Sequence, residues 1–292
     1  MTASTERLAA GKSTQNSEVP PAARAILRLD SMKPEDLESL IEQYQDRIYR
    51  FGMRLCRDPE DAREVLQETL LTLTRGIDDF RGEASLSTWL YTVARSHCIK
   101  KRRRSKFAPE QIQSLEQHTE ESAGVAADDS SDPEALASAR EVGRALQIAI
   151  DDLDDGSREV LLLRDVDGLT APEVAEVTGV SVSAVKSRLH RARMAVRDRV
   201  APLLNPAPPT TTAKESCPDV LMQFSKHLEG DISASTCAEL ERHLEQCPRC
   251  RGACDSLRQT LSMCETAGRA VKVPKAVQAS VKGALRDFLA QR

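Results

Sequence analysis

The sequence predicts an all-α protein made of small helical modules. Two observations carry that prediction. Apolar residues recur at spacings of three and four along the patterned stretches, and no stretch of any length alternates as a strand would. At 292 residues the chain has room for two or three small domains.

The elements follow in order. Residues 1–33 are rich in Ala, Ser and Thr without a sustained hydrophobic period, and read as a disordered N-terminal extension. Residues 34–106 read as a first helical domain. Leu37, Leu40, Ile41, Tyr44, Ile48 and Phe51 line one helix, Ala62, Val65, Leu66, Thr69, Leu70 and Leu73 a second, and a third covers roughly 87–104. Residues 107–139 read as a flexible acidic linker, because eight acidic residues and no Lys or Arg stand between Ala108 and Ala139. Helical patterning returns over 140–203. Residues 204–214, which include Asn205-Pro206-Ala207-Pro208-Pro209, form a Pro-rich linker. A Cys-rich module fills 215–267. A C-terminal helix over 268–292 carries Val277, Val281, Leu285, Phe288 and Leu289 on one face.

Composition narrows the function. The net charge is only −4, so nothing global marks a nucleic-acid binder and the local charge pattern must be read instead. No apolar run approaches the ~20 residues needed to span a membrane, and the N-terminus lacks a signal-peptide core. The expected location is cytoplasmic, with no membrane contact. Eight cysteines in a reducing compartment argue against a disulfide framework and for metal or redox chemistry, and six of them follow residue 216. No carboxylate pair, nucleophile–base set or phosphate loop stands out, so an enzyme is not expected.

The sharpest motif runs from Leu169 to Arg193. Thr170 and Glu173 fit a capping box, with Pro172 tolerated in the first turn. Val174 and Val177 face inward, and Gly179 stands where the tight turn needs a permissive backbone. Ser181 is placed to cap the next helix, whose buried stripe is Val185, Leu189, Ala192, Val196 and Val200. The opposite face carries Lys186, Arg188, His190, Arg191, Arg193 and Arg197. A capped short helix, a Gly turn and a basic second helix make a helix-turn-helix that enters the major groove. An ordinary helical hairpin with a solvated basic face is the bland alternative.

In the first domain, Phe80 to Arg95 leads into the basic run Lys100 to Arg104. Aromatics beside a dense basic cluster suit melted or single-stranded DNA. Trp89 taken alone reads as core packing. In the Cys-rich module, His243 and Cys247 are four apart and so share a helix face. Cys247-Pro-Arg-Cys250 is a short turn, and Cys217 can supply a fourth ligand from an earlier segment. One His and three Cys form a tetrahedral Zn²⁺ set. The alternative is that they are small buried hydrophobes. Cys237 reads as buried. Cys254 and Cys264 read as packing residues, alternative ligands or redox partners.

The order of these pieces resembles a sigma-70 family RNA polymerase sigma factor of the extracytoplasmic-function group, over roughly 34–203. Asp61 to Leu70 resembles its polymerase-binding helix, Phe80 to Arg104 its promoter-melting loop and −10 reading helix, and Thr170 to Arg193 its −35 reading helix-turn-helix. The resemblance implies sigma region 2 over 34–106 and sigma region 4 over 140–203. It implies that Val65, Leu66, Gln67 and Glu68 dock on polymerase. It implies that Phe80, Arg81, Trp89, Arg95, Ser96 and Lys100 serve the −10 element and melting. Lys186, Ser187, Arg188, His190 and Arg191 would meet the −35 element. The chain departs from the family's usual residues at Ser96, Lys100 and Ser183-Ala184, positions that bear on promoter sequence.

The Cys-rich module resembles the zinc-associated anti-sigma domain through His243-x-x-x-Cys247-x-x-Cys250 and the upstream Cys217. Together the resemblances imply a non-enzymatic initiation factor partnered by RNA polymerase core enzyme and promoter DNA. A tethered anti-sigma-like domain has a high effective concentration, so intramolecular contact and regulation in cis follow. A helix-turn-helix repressor with a metal- or redox-sensing tail is the competing reading, and residues 61–104 are what such a repressor has no use for.

Overall fold

In a computed structural model, the described residues are 34–76, 84–107, 133–204 and 217–290. Phe80 and Arg81, residues 1–33 and most of both expected linkers lie outside them. Among the described residues there are eleven α-helices and no strand. No helix there is long and apolar enough to cross a membrane.

The first unit is three packed helices: α1 (Pro34–Cys56), α2 (Pro59–Gly76) and α3 (Leu86–Phe107). Its core holds Ile41, Ile48, Phe51, Val65, Leu66, Leu70, Leu73, Leu90, Tyr91 and Ala94. Phe51 and Tyr91 meet edge to face at 5.3 Å. Helices α1 and α2 approach so closely that a Cβ on Gly52 would sit 3.2 Å from the Ala62 backbone. Arg57, with φ +63°, turns the chain between them, and the Asp58 carboxylate accepts from the Asp61 amide at 2.8 Å.

One pairing was not anticipated, though six of the eight cysteines are free. Cys56 and Cys98 form a disulfide that ties the end of α1 to α3, with their Cα atoms 5.5 Å apart. Helix packing brings these two residues together across 42 positions of sequence, a proximity that no local pattern encodes.

The second unit contains α4 (Pro133–Asp151), α5 (Asp155–Leu161, continued by a π turn over Leu162–Val166), α6 (Ala171–Thr178) and α7 (Val182–Leu204). Helix α4 begins inside the expected acidic linker, with Pro133 at its first position. The helix-turn-helix forms as its caps dictate. Thr170 and Glu173 close a reciprocal capping box, Gly179 takes φ +72°, and the Ser181 hydroxyl accepts from the Ala184 amide at 3.2 Å. Val185, Leu189, Ala192, Val196 and Val200 are buried. Arg158 is also buried, because its guanidinium donates to the carbonyls of Ile150, Asp151 and Leu153 at the end of α4.

The third unit comprises α8 (Val220–Leu228), α9 (Ala234–Gln246) and α10 (Pro248–Ala270) around Phe224, Leu240, Leu244, Cys254 and Leu257. Helix α10 packs along α7. There Cys264 joins the second unit's core beside Leu146, Ile150, Val196 and Val200. Cys254 and Cys264 are therefore packing residues, and burial pushes their thiols up to about 11 and about 12. Cys237 is only half-buried, contrary to expectation, and lies beside His227 and Glu241. Helix α11 (Lys275–Ala290) then returns to the first unit and packs on α2, burying Val281 and Leu285 together with the preceding Val273.

Candidate nucleic-acid interface and metal centre

The capped start of α7 presents Lys186, Ser187, His190 and Arg191 on one side of the helix, and α8 lies across that side. Lys186 Nζ is 3.1 Å from Asp231 Oδ1. A groove of about 490 Å³ beside that pair is lined by Lys186, His190 and Arg191 and by Met222, Lys226 and Asp231. Ser187 bonds back to the Ser183 carbonyl at 3.0 Å. Arg188 leans the other way, over Gly156 of α5. Burial holds the His190 imidazole below its ordinary pKa, against the pull of Asp219.

Arg193 does not belong to the basic face where the sequence pattern places it. Its guanidinium is 1% exposed and ion-pairs with Asp165 and Glu229, both at 2.6 Å. It also donates to the Ser225 hydroxyl at 3.2 Å. Arg164 reaches the same Glu229 at 2.9 Å. Glu229 thus carries two arginines of the second unit into the third. Sequence patterning misses this cluster, since nothing local distinguishes Arg193 from its neighbours.

The −10 candidates are partly engaged. Arg95 makes a two-pronged pair with Glu159 of α5, whose carboxyl is raised by burial against the opposing pull of Arg95. Arg102 pairs with Asp155, and Lys101 with Asp61 and Glu64. Ser96 and Lys100 stay exposed, one turn apart on α3. Trp89 is half-buried against the first core, as its packing reading implied.

Among the polymerase candidates, Val65 and Leu66 are fully buried. They share a core with Val281 and Leu285 of α11, the helix that covers α2 in this arrangement. Gln67 and Glu68 lie on the outer side of the same helix.

The ligand atoms of Cys217, His243, Cys247 and Cys250 all lie within 4.8 Å of one another. Cys217 precedes α8, His243 closes α9, Cys247 joins α9 to α10, and Cys250 opens α10. The His243 Nε2 is buried without a hydrogen-bond partner. Burial pushes the Cys250 thiol up to about 12, while amide donation from Cys250 lowers Cys247. An unpartnered imidazole nitrogen converging with three thiols is a donor set that a cation satisfies. With four protein ligands the set leaves no open position for a substrate.

Comparison with known proteins completes the picture. Residues 40–107 match the family Sigma-70 region 2, 143–196 match Sigma-70, region 4, and 217–251 match a family described as putative zinc-finger. The ECF RNA polymerase sigma factor SigE of Mycolicibacterium smegmatis is 30% identical over 165 residues, which cover 56% of this chain and 61% of that protein. The ECF RNA polymerase sigma-E factor of Salmonella typhimurium is 30% identical over 169 residues, covering 56% and 86%. The ECF RNA polymerase sigma-E factor of Escherichia coli K12 matches to the same extent. Among solved structures, RpoE of Bartonella quintana in complex with the anti-sigma factor NepR has a TM-score of 0.41 at 19% identity, covering 58% of this chain and 97% of that one. A match to region 2 is not expected of a simple repressor. The chain belongs to the extracytoplasmic-function sigma factors of the sigma-70 family, with a zinc-finger-like segment following region 4.

Proposed function

We propose that this sigma factor is held closed by its own C-terminal module, which carries Zn²⁺ on Cys217, His243, Cys247 and Cys250. In the open protein, Lys186, Ser187, Arg188, His190 and Arg191 meet the −35 element. Arg95, Ser96 and Lys100 serve the −10 element with the Phe80–Arg81 segment, and Gln67 and Glu68 contact polymerase.

The observation that carries this reading is the Lys186–Asp231 pair, which puts an acidic turn of the third unit against the −35 helix. A carboxylate there occupies a cation that a DNA phosphate would otherwise meet. Two further interfaces agree. Lys272 and the Val273 amide both bond Asp46 at 3.0 Å, and Lys282 pairs with Glu42 at 2.9 Å, so α11 is fastened to α1 while it covers α2. Glu159 and Asp155 engage Arg95 and Arg102, so region 4 itself shields part of the basic helix of region 2.

The test is run-off transcription by core polymerase with the full chain and with Glu229→Ala/Asp231→Ala. The double variant should bind −35 DNA more tightly and transcribe more strongly. Equal or weaker output from a folded double variant would reject closure in cis.

A further inference from the structure

We infer that the C-terminal module holds a second divalent-cation site, formed by His227, Cys237 and Glu241 and sharing no ligand with the Cys217 cluster. Cys237 Sγ lies 3.7 Å from His227 Nδ1 and 3.8 Å from Glu241 Oε1. Around a tetrahedral zinc, with Zn–S ≈ 2.3 Å and Zn–N ≈ 2.0–2.1 Å, ligand atoms stand about 3.6 Å apart. The thiol is therefore already at coordination distance from both neighbours.

The scaffold suits this role. Cys237 and Glu241 are one turn apart on α9. Glu241 and His243 are two residues apart, about 200° around the helix, so the two sites use opposite sides of α9. The His227 ring is oriented by stacking on Phe224 at 6.2 Å, and Phe224 is itself covered by the Arg258 guanidinium. All three ligand residues are half-buried, so an ion can enter from solvent. One thiolate, one imidazole and one carboxylate leave a fourth position for water and suit a borderline cation such as Zn²⁺. Binding expels the Cys237 thiol proton. A three-ligand, solvent-reachable set binds more weakly than the closed four-ligand cluster, and so exchanges while that cluster stays filled.

The position gives the site a consequence, which rests on the closed reading above. His227 ends α8, and the next turn is fixed by amide bonds from Gly230 to the His227 carbonyl (3.0 Å) and from Asp231 to the Lys226 carbonyl (2.9 Å). That turn carries Glu229, the partner of Arg164 and Arg193, and Asp231, the partner of Lys186. A cation joining His227 to Cys237 pins the turn to α9 and favours the closed arrangement.

The experiment titrates the reduced full-length protein with Cd²⁺, reading thiolate–metal absorbance, and repeats the titration with Zn²⁺ against a chromophoric chelator. Wild type should bind two equivalents, the second at least tenfold more weakly. Cys237→Ser and His227→Gln should each lose the second equivalent and keep the first, with unchanged helix content. A wild-type stoichiometry of one overturns the site, as does a second equivalent unchanged in both variants. Promoter binding is then measured with one and with two equivalents bound. Weaker DNA binding at two equivalents supports the coupling to closure. Two equivalents with DNA binding indifferent to the second would keep the site and refute that coupling.

Discussion

Arg193 and Glu229 form an ion pair of 2.6 Å in which the two side chains are 1% and 4% exposed. The pair crosses from α7 to the C-terminal module, and Asp165 shares the same guanidinium at 2.6 Å. Removing the cation strands the buried Asp165 carboxylate and leaves Glu229 with Arg164 alone. Arg193→Met should therefore destabilise the protein by roughly 3–5 kcal/mol. Glu229→Gln should cost less, because Asp165 still compensates Arg193. Urea unfolding of the full chain measures both, and a wild-type midpoint for Arg193→Met would show that the cluster contributes nothing net.

Metal removal should loosen the third unit first. A structural zinc contributes folding free energy to a module with a small core. Cys247→Ser, or chelation of the wild type, should raise hydrogen exchange over residues 217–265 and spare α1 to α3. Full zinc occupancy in both Cys247→Ser and Cys250→Ser would show that the ligands are misassigned.

The −35 assignment is best tested where the helix is uncovered. In the Glu229→Ala/Asp231→Ala background, Arg191→Ala should weaken promoter binding by about 1–3 kcal/mol if it reads a base, and relax preference at one position. Lys186→Ala should weaken binding evenly across sequences and flatten its salt dependence. Titration of matched and scrambled −35 duplexes at two salt concentrations separates these outcomes.

Acid should tighten the junction between regions 2 and 4. Asp167 is raised from 3.8 to about 6, because burial outweighs the pull of Arg47, Arg50 and Arg54 of α1. Tyr91 of α3 faces it as well, and Arg47 holds the Asp167 carbonyl at 2.8 Å. A carboxyl whose pKa is higher folded than unfolded binds protons preferentially when folded. Its contribution grows as pH falls from 6 toward 4 and fades as pH rises through 6. Between pH 7 and 5 the gain is about 1 kcal/mol. Asp167→Asn should remove this pH dependence, and unfolding midpoints across that range would reveal it.

How much was legible in the sequence depended on whether the cause was local. Thr170, Glu173, Gly179 and Ser181 act within a few residues of themselves, so the helix-turn-helix could be read at residue level. The Cys217 cluster was readable because three of its ligands are four and three positions apart. The burial of Val65 and Leu66 beside the more open Gln67 and Glu68 was not legible, because one helical motif carries both its core side and its outer side, and resemblance alone does not separate them. The disulfide joining Cys56 to Cys98 and the Asp165–Arg193–Glu229 cluster depend on segments meeting in space, which no window of sequence reports.

The return of α11 to α1 and α2 makes the contact unimolecular. A separate inhibitor leaves its target as both are diluted, and it can be outnumbered by it. A segment of the same polypeptide can do neither, since every copy is synthesised with its own. On the closed reading, output should scale in proportion to gene dosage, with no threshold at which inhibitor runs out, and only a ligand or a polymerase that discriminates between the two arrangements can alter the fraction that is active.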